Sequence, residues 1–540
     1  MVSDSSTLGT SGGPADAPSP QTIISRNPSS GAVLRELSPT PFESLPSLFA
    51  AAKEAQIRWA ALPIKRRSET LIQIREALLN QADDLIELLS AENGKPRFES
   101  LSNELLPSAD LITYFAKRAP KLLKDKKIRL QNLLHRSSYL NYWPLGVVVV
   151  ISPWNAPFYT PFAEIIMALI AGNSVIFKPS EVTPLVGLKI QEICENAGLP
   201  RGLLQTVIGD GRLGAALVRQ RPAKIFFTGS VATGRKVLAA AAENFTPVSL
   251  ELGGKDAMIV LADADLDFAT SAAAWGGFSN SGQICSSVER IIIHESVVEV
   301  FVDLLKQKLN TLKQAPSLGN AAEPNDLGAV TFENQKLIYQ AQITEAKAMG
   351  ARFVMGGDFN ANKTALNPTI VMGDKIESTQ IYNEETFGPV VAVTTFRSVT
   401  EAIEKANHSR YGLVASVITR NQTLGEQIAR QLEVGTVTIN EVTYTAGLPE
   451  TPWGGIKESG TGRVHGDIGL YEFVNIRHIH KAKASFLVFK SLWWFPYTPF
   501  QYAAFRQFLE LYRKSWSDKA RAFPHFLWNF IQFIKREKRL

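Results

Sequence analysis

Residues 249–256 read S-L-E-L-G-G-K-D, and residues 282–290 read G-Q-I-C-S-S-V-E-R. Glu251 and Cys285 carry the chemical content of this stretch. Glu251 interrupts an apolar run of Val248, Leu250 and Leu252, where a carboxylate is costly unless it is paired or serves as a base of raised pKa. Gly253 and Gly254 follow it and let the backbone turn or approach a ligand closely. The plain alternative is an ion pair between Glu251 and Lys255 at a strand end. Cys285 sits among Asn280, Ser281, Gly282, Gln283, Ser286 and Ser287, a polar setting unlike that of a packed thiol. The chain's other cysteine, Cys194, shares a helical face with Ile190 and Ile193, as a structural cysteine does.

E-L-G-G-K, followed 34 positions after its glutamate by the cysteine of G-Q-x-C, resembles the aldehyde dehydrogenase superfamily. Other motifs agree in the family's order: P-W-N-A-P at 153–157, F-K-P-S-E at 177–181, F-T-G-S-V-A-T-G at 227–234 and E-E-T-F-G-P at 384–389. The resemblance covers about residues 20–480.

The rest of the 540 residues sets bounds. A hydrophobic content of 45% suits two or three domains. Two cysteines exclude a disulfide scaffold and suit a reducing cytosol, so a cytoplasmic protein is expected. Residues 1–20 are small, polar and rich in Pro and Gly, a disordered leader with no signal-peptide core. From His478 onward, 12 Lys and Arg face 3 Asp and Glu, leaving +9 in the tail and −3 in the body of a chain whose net charge is +6. The basic balance therefore belongs to the tail and does not point to nucleic acid. No metal site is expected.

Periodicity predicts helices over Phe49–Ala61, Lys65–Asn80, Gln81–Asn93 and Leu105–Ala116, and a hairpin near Lys126–Tyr142. Gly146–Ser152 is a continuous β-branched run, the pattern of a buried parallel strand. Strands at Ser174–Phe177, Leu204–Ile208 and Lys224–Phe227 alternate with helices at Phe162–Ala171, Leu185–Ala197 and Gly211–Gln220, a doubly wound α/β unit with its motifs at the carboxyl ends of strands. Strands at Met258–Val260, Ile291–Ile293, Val390–Val393, Val414–Ile418 and Gly435–Ile439 make a second α/β unit. The expected fold is α/β, and the resemblance makes it a modified Rossmann cofactor domain over 21–250, with a β-hairpin oligomerisation arm at 126–143. A second α/β catalytic domain at 251–440, a return segment at 441–480 and a helical tail at 481–540 follow.

The resemblance implies site residues. Cys285 is the nucleophile, Asn155 the oxyanion donor and Glu251 the base that activates water against a thioester. Cofactor contacts fall to Ser152, Trp154, Lys178, Glu181, Gly229, Ser230, Gly234, Leu252, Glu385 and Phe387. Glu181 beside Lys178 favours the free ribose hydroxyl of NAD, with NADP possible. Glu251 argues for hydrolysis over CoA acylation. Many relatives have glutamate after the Gly-Arg of the late motif; this chain has Val464, and R-V-H-G resembles the fatty aldehyde branch. S-N-S-G-Q-I-C-S-S-V-E-R also resembles succinate-semialdehyde relatives. A cation in the aldehyde tunnel would favour that rival, and an apolar tunnel a fatty or aromatic aldehyde. A non-catalytic scaffold is the reading from another class, opposed by the intact Cys285, Glu251 and Asn155. A homodimer or tetramer is expected.

The tail from 478 holds 17 of the chain's 50 aromatic residues in 63 positions. Phe505, Phe508, Leu509, Tyr512 and Trp516 are spaced for one helical face, and Phe526, Phe530, Phe533 and Ile534 for a second. Basic aromatic amphipathic helices suit an anionic membrane surface, with subunit contact as the alternative.

Overall fold

The computed structural model describes residues 22–131, 133, 135–314, 325–488, 491, 493–510, 512 and 516–537. The expected leader lies outside them.

Val147–Ile151 is buried at every position, as its five apolar side chains require of a strand covered on both faces. It centres a six-stranded sheet in the order Gly460–Thr461, Val248–Glu251, Lys224–Thr228, Val147–Ile151, Ser174–Lys178, Leu204–Thr206. Only Gly460–Thr461 runs antiparallel, pairing Gly460 with Glu251. From Val147–Ile151 the chain builds outward in one direction, then returns to lay Lys224–Thr228 on the other side. The strand order therefore reverses between Ile151 and Thr228, and a crevice opens at their carboxyl ends. Both P-W-N-A-P and T-G-S begin there.

Alternating side chains separate the two faces of this sheet. Val147, Val149, Ile151, Ile225 and Phe227 pack with Leu213, Leu217, Val237 and Ala241. On the sheet's Phe226, the ring of Phe473 stacks at 4.1 Å and 7°. The helix Tyr159–Ala171 is buried on all sides, as an almost wholly apolar helix must be. It stops at Gly172, whose φ of 97° is the left-handed cap conformation that glycine adopts without cost.

A seven-stranded sheet follows, in the order Arg352–Met355, Thr369–Met372, Val390–Phe396, Val288–His294, Asp256–Val260, Val414–Ile418, Thr436–Ile439. All neighbours are parallel except Arg352–Met355 against Thr369–Met372. One face packs on the helices Leu266–Phe278 and Val298–Asn310, the other on Val399–Asn407 and Gln422–Ala429. The chain passes between the two sheets in residues 252–255, so Glu251 ends a strand of the first and Asp256 begins one of the second.

The predicted N-terminal helices form as Leu45–Ala61, Ile64–Asn80, Ala82–Asn93 and Leu106–Leu122. Between the last two, Ser100–Leu105 is a turn of π-helix. Arg352–Met355, Thr369–Met372 and Leu266–Phe278 were not anticipated, being short strands and an alanine-rich helix with a weak apolar stripe.

Residues 124–142 and 476–540 form a separate compact unit. Lys126–Ile128 pairs antiparallel with Arg136–Pro144, and Val474–Ala482 adds a third strand. Of the helical face expected from Phe505 to Trp516, Phe505, Phe508 and Leu509 lie on the helix Pro499–Glu510, Tyr512 lies outside it, and Trp516 begins the helix Trp516–Glu537. The second expected face, Phe526 to Ile534, involves side chains outside those described. Among the described residues no helix is long and apolar enough to cross a membrane.

Candidate active site

The loop before Cys285 is strained. Asn280, Ser281 and Gly282 have φ of 50°, 55° and 71°, a left-handed run that costs energy unless its surroundings impose it. A side chain at Gly282 would strike the carbonyl of Gly388. The buried Glu99 carboxylate holds the run, accepting from Asn280 N and Ser279 Oγ, both at 2.8 Å. Asn155 is clamped from both ends. Its Nδ2 donates to Gln283 O at 3.0 Å, and its own carbonyl accepts from Lys95 Nζ at 2.9 Å and Asn280 Nδ2 at 3.1 Å. The Asn155 amide is thus locked beside the cysteine loop, with its second N–H available as a donor.

Cys285, Glu251 and Asn155 all line one cavity of about 730 Å³. Cys285 is half-buried and free, whereas Cys194 is fully buried in its helix, as expected. Burial pushes the Cys285 thiol up, the carboxyls of Asp256, Glu251 and Glu385 add to this, and the Ser286 N–H opposes it. The resting residue is therefore a thiol, and a base is needed to make it nucleophilic.

Glu251 is buried, and neither carboxyl oxygen has a hydrogen-bond partner among the described residues. Burial raises its pKa well above the usual carboxylate range, Glu164 raises it further, and Arg463 opposes. The alternative ion pair with Lys255 is not formed. Lys255 pairs instead with Glu289 and donates to Thr386 Oγ1 at 3.1 Å. Glu289 also accepts from the backbone N–H of Thr386 and Phe387, both at 2.8 Å, fixing the E-E-T-F-G-P loop.

The residues expected at a dinucleotide fit such a group. Gly229 and Ser230 line the cavity at the start of the helix Val231–Ala242, whose N-terminal N–H groups suit a phosphate. A Cβ on Gly234 would lie 2.6 Å from the tip of the Leu252 side chain, which would have to shift to admit it. Ser152 Oγ is buried without a partner among the described residues. Lys178 Nζ lies 3.4 Å from Glu181 Oε2, on a carboxylate that remains open to solvent. Glu385 Oε1 accepts from Gly254 N at 3.0 Å, and burial pushes its carboxyl up to about 8. Trp154 meets Phe387 edge-to-face at 5.4 Å. Asn440, just past the strand Thr436–Ile439, accepts from Thr419 N at 3.0 Å.

Sequence reasoning missed Lys95, Glu99, Glu104, Glu164 and Glu289. Glu164 was legible, as the one charged residue in a thirteen-residue buried helix. Glu99 and Glu104 gave no signal in their mixed stretch.

The cavity is also lined by Leu106, Trp275, Tyr444, Trp453, Val464 and His465, and by Asp110. His465 is buried, with Nε2 3.5 Å from Tyr159 Oη, and burial lowers it to about 4. As pH falls from 6.5, the unfolded imidazole binds its proton first, so stability is lost down to about pH 4. That loss is about 3 kcal/mol for this group. Unfolding midpoints of the wild type should therefore fall relative to His465→Asn across this window; parallel curves would refute the burial cost.

A model of the aldehyde dehydrogenase family matches residues 15–479. The 4,4'-diapolycopene aldehyde oxidase of Methylomonas sp is 39% identical over 469 residues, 85% of this chain and 85% of the relative. A betaine aldehyde dehydrogenase of Cereibacter sphaeroides is 36% identical over 83% of this chain and 90% of its own. Among solved structures, lactaldehyde dehydrogenase from Escherichia coli superimposes with a TM-score of 0.81 at 31% identity, covering 87% of this chain and 97% of that one. Betaine aldehyde dehydrogenase from Staphylococcus aureus, solved with NAD+, gives 0.82 at 30% identity, covering 88% and 93%. The chain belongs to the aldehyde dehydrogenase family, NAD(P)-dependent oxidoreductases that oxidise an aldehyde to its carboxylic acid.

Proposed function

We propose that the chain oxidises a hydrophobic aldehyde, with NAD preferred, through Cys285, Asn155 and Glu251. The observation that carries the substrate class is the charge of the cavity wall. Among the described lining residues Lys95 is the only lysine or arginine, and its ammonium is committed to Glu104. His465 is neutral near pH 7, and Asp110 adds negative charge. A carboxylate-bearing semialdehyde would meet repulsion with no cation to offset it, whereas Leu106, Trp275 and Tyr444 offer apolar area. The 39% identity to a diapolycopene aldehyde oxidase supports the same class. Glu181 beside Lys178 supports NAD, since a 2′-phosphate would meet that carboxylate.

In this reading the Cys285 sulfur bonds to the aldehyde carbon as its proton passes to Glu251, and the new oxyanion is held by the Asn155 amide and the Cys285 N–H. A bound nicotinamide ring supplies the acceptor for the hydride. Glu251 releases the thiol proton and then takes a proton from the water that attacks the thioester; the C–S bond breaks, that proton passes to the leaving Cys285 sulfur, and the acid leaves. Cys285→Ala should abolish NADH formation, and Glu251→Gln should lower steady-state turnover 10²–10⁴-fold. In a panel of long apolar, aromatic and carboxylated aldehydes, kcat/KM should be highest for the apolar ones. Preference for a carboxylated aldehyde would overturn the substrate class.

The family likeness supports a cytoplasmic homodimer or tetramer. The tail supports attachment to an anionic lipid surface: Trp494, Phe495, Tyr497, Tyr502, Leu509 and Trp528 are all at least half exposed, in a segment of charge +9. The full chain should sediment with phosphatidylserine vesicles but not with phosphatidylcholine vesicles, and raised salt should release it. Equal behaviour with both vesicles would overturn this attachment.

A further inference from the structure

The segment that carries Glu99 and Glu104 has a second side. Residues 97–106 run helically through Arg97–Glu99 and Ser100–Leu105 into the helix Leu106–Leu122. Glu99 and Glu104 are among its buried positions. Its exposed positions are Phe98, Leu101 and Leu106, at 68%, 45% and 64%, and all three are large apolar side chains. Single exposed apolar residues are ordinary on a protein surface. Here the usual distribution is inverted: the carboxylates lie inside, and every exposed position is apolar.

This apolar edge is continuous with the cavity. Leu106 lines the cavity while being mostly exposed, so it stands where the cavity opens. Ser102, Asn103 and Asp110 line it as well. Phe98 precedes Ser102 by four positions and Leu101 precedes Leu106 by five, about one turn in a segment that passes from α- to π-helix. Both therefore carry the lining edge of this helix past the opening and onto the surface. The opening is apolar elsewhere too: Trp275 and Tyr444 line the cavity and are exposed.

The cavity is shared. Its volume of about 730 Å³ is bounded in part by Trp154, Gly229, Ser230, Glu385 and Phe387, the residues fitted to a dinucleotide above. An aldehyde bonded at Cys285 has only the remainder, and a chain longer than that remainder emerges at the opening. Each emerging methylene is then left in water unless apolar surface covers it.

Resting on the reading of an apolar aldehyde at Cys285, we propose that Phe98, Leu101 and the exposed side of Leu106 form an outer subsite for the distal part of a long apolar aldehyde. The length of chain accepted is then not set by the depth of the cavity. Contacts so far from the carbonyl are the same before and during reaction, so they act on KM and leave kcat alone.

The test compares the wild type with the double variant Phe98→Ser/Leu101→Ser on hexanal and hexadecanal with NAD, each aldehyde kept below its solubility limit. For hexanal, kcat and KM should be unchanged, which also reports the folded fraction. For hexadecanal, KM should rise about 10-fold at constant kcat, the order expected when a chain loses the cover of two apolar side chains. Phe98→Leu should keep most of the wild-type KM. An unchanged KM for hexadecanal would overturn the subsite, as would equal losses with both aldehydes. The competing occupant is a second copy of the chain: a fall in subunit number by sedimentation, with hexadecanal kinetics unchanged, would assign the patch to that contact. Succinate semialdehyde run in parallel separates the two claims. If the wild type prefers it to both alkanals, the apolar substrate class fails and the subsite with it; if alkanals are preferred and the variant does not discriminate between them, only the subsite fails.

Discussion

The Lys95–Glu104 ion pair is the contact on which the site's geometry depends. Both side chains are almost wholly buried. Glu104 also accepts from the backbone N–H of Phe158 and Tyr159, at 3.2 and 2.7 Å, tying down the entry to the helix that bears Glu164. Lys95 holds the carbonyl of Asn155, and a few residues away Glu99 holds the strained loop before Cys285. One short polar segment, ending in a turn of π-helix, thus fixes Asn155 beside the first sheet and the loop before Cys285 beside the second. Buried ion pairs add little net stability, and breaking one by removing a partner costs about 3–5 kcal/mol. What the pair secures is position.

Around that frame the cavity is organised by missing charge compensation. Glu251 and Glu164 have oxygens without a partner among the described residues, Glu385 is raised, and Cys285 rests as a thiol. The cations that could have neutralised them are used elsewhere: Lys255 on Glu289, Lys95 on Glu104, and Arg290 on the carbonyls of Lys255, Lys405 and Ala406. Burial lifts Glu164 and Glu385 to about 8 and raises Glu251 well above the usual carboxylate range, a state that ill suits a structural anion.

The fold was largely legible because its signals are local. Val147–Ile151 announces itself as a buried strand by β-branched content alone, and the glycine of the T-G-S turn lies where the strand order reverses. Glu251 and Cys285 stood out as a carboxylate in an apolar run and a thiol in a polar one. The clamp was not legible, since Lys95, Glu99 and Glu104 look like solvated charges until the fold buries them. Thr369–Met372 is too short to show a period. Tyr512, expected on one helical face with Phe505 and Trp516, lies in neither tail helix, which aromatic spacing does not reveal.

The most direct measurement is mass spectrometry of Glu251→Gln after prolonged incubation with an apolar aldehyde and NAD, quenched in acid. The account predicts a mass increase of one acyl group, dependent on NAD and mapped to the peptide that contains Cys285. Aldehyde oxidation with no adduct, or an adduct on Cys194, would contradict it.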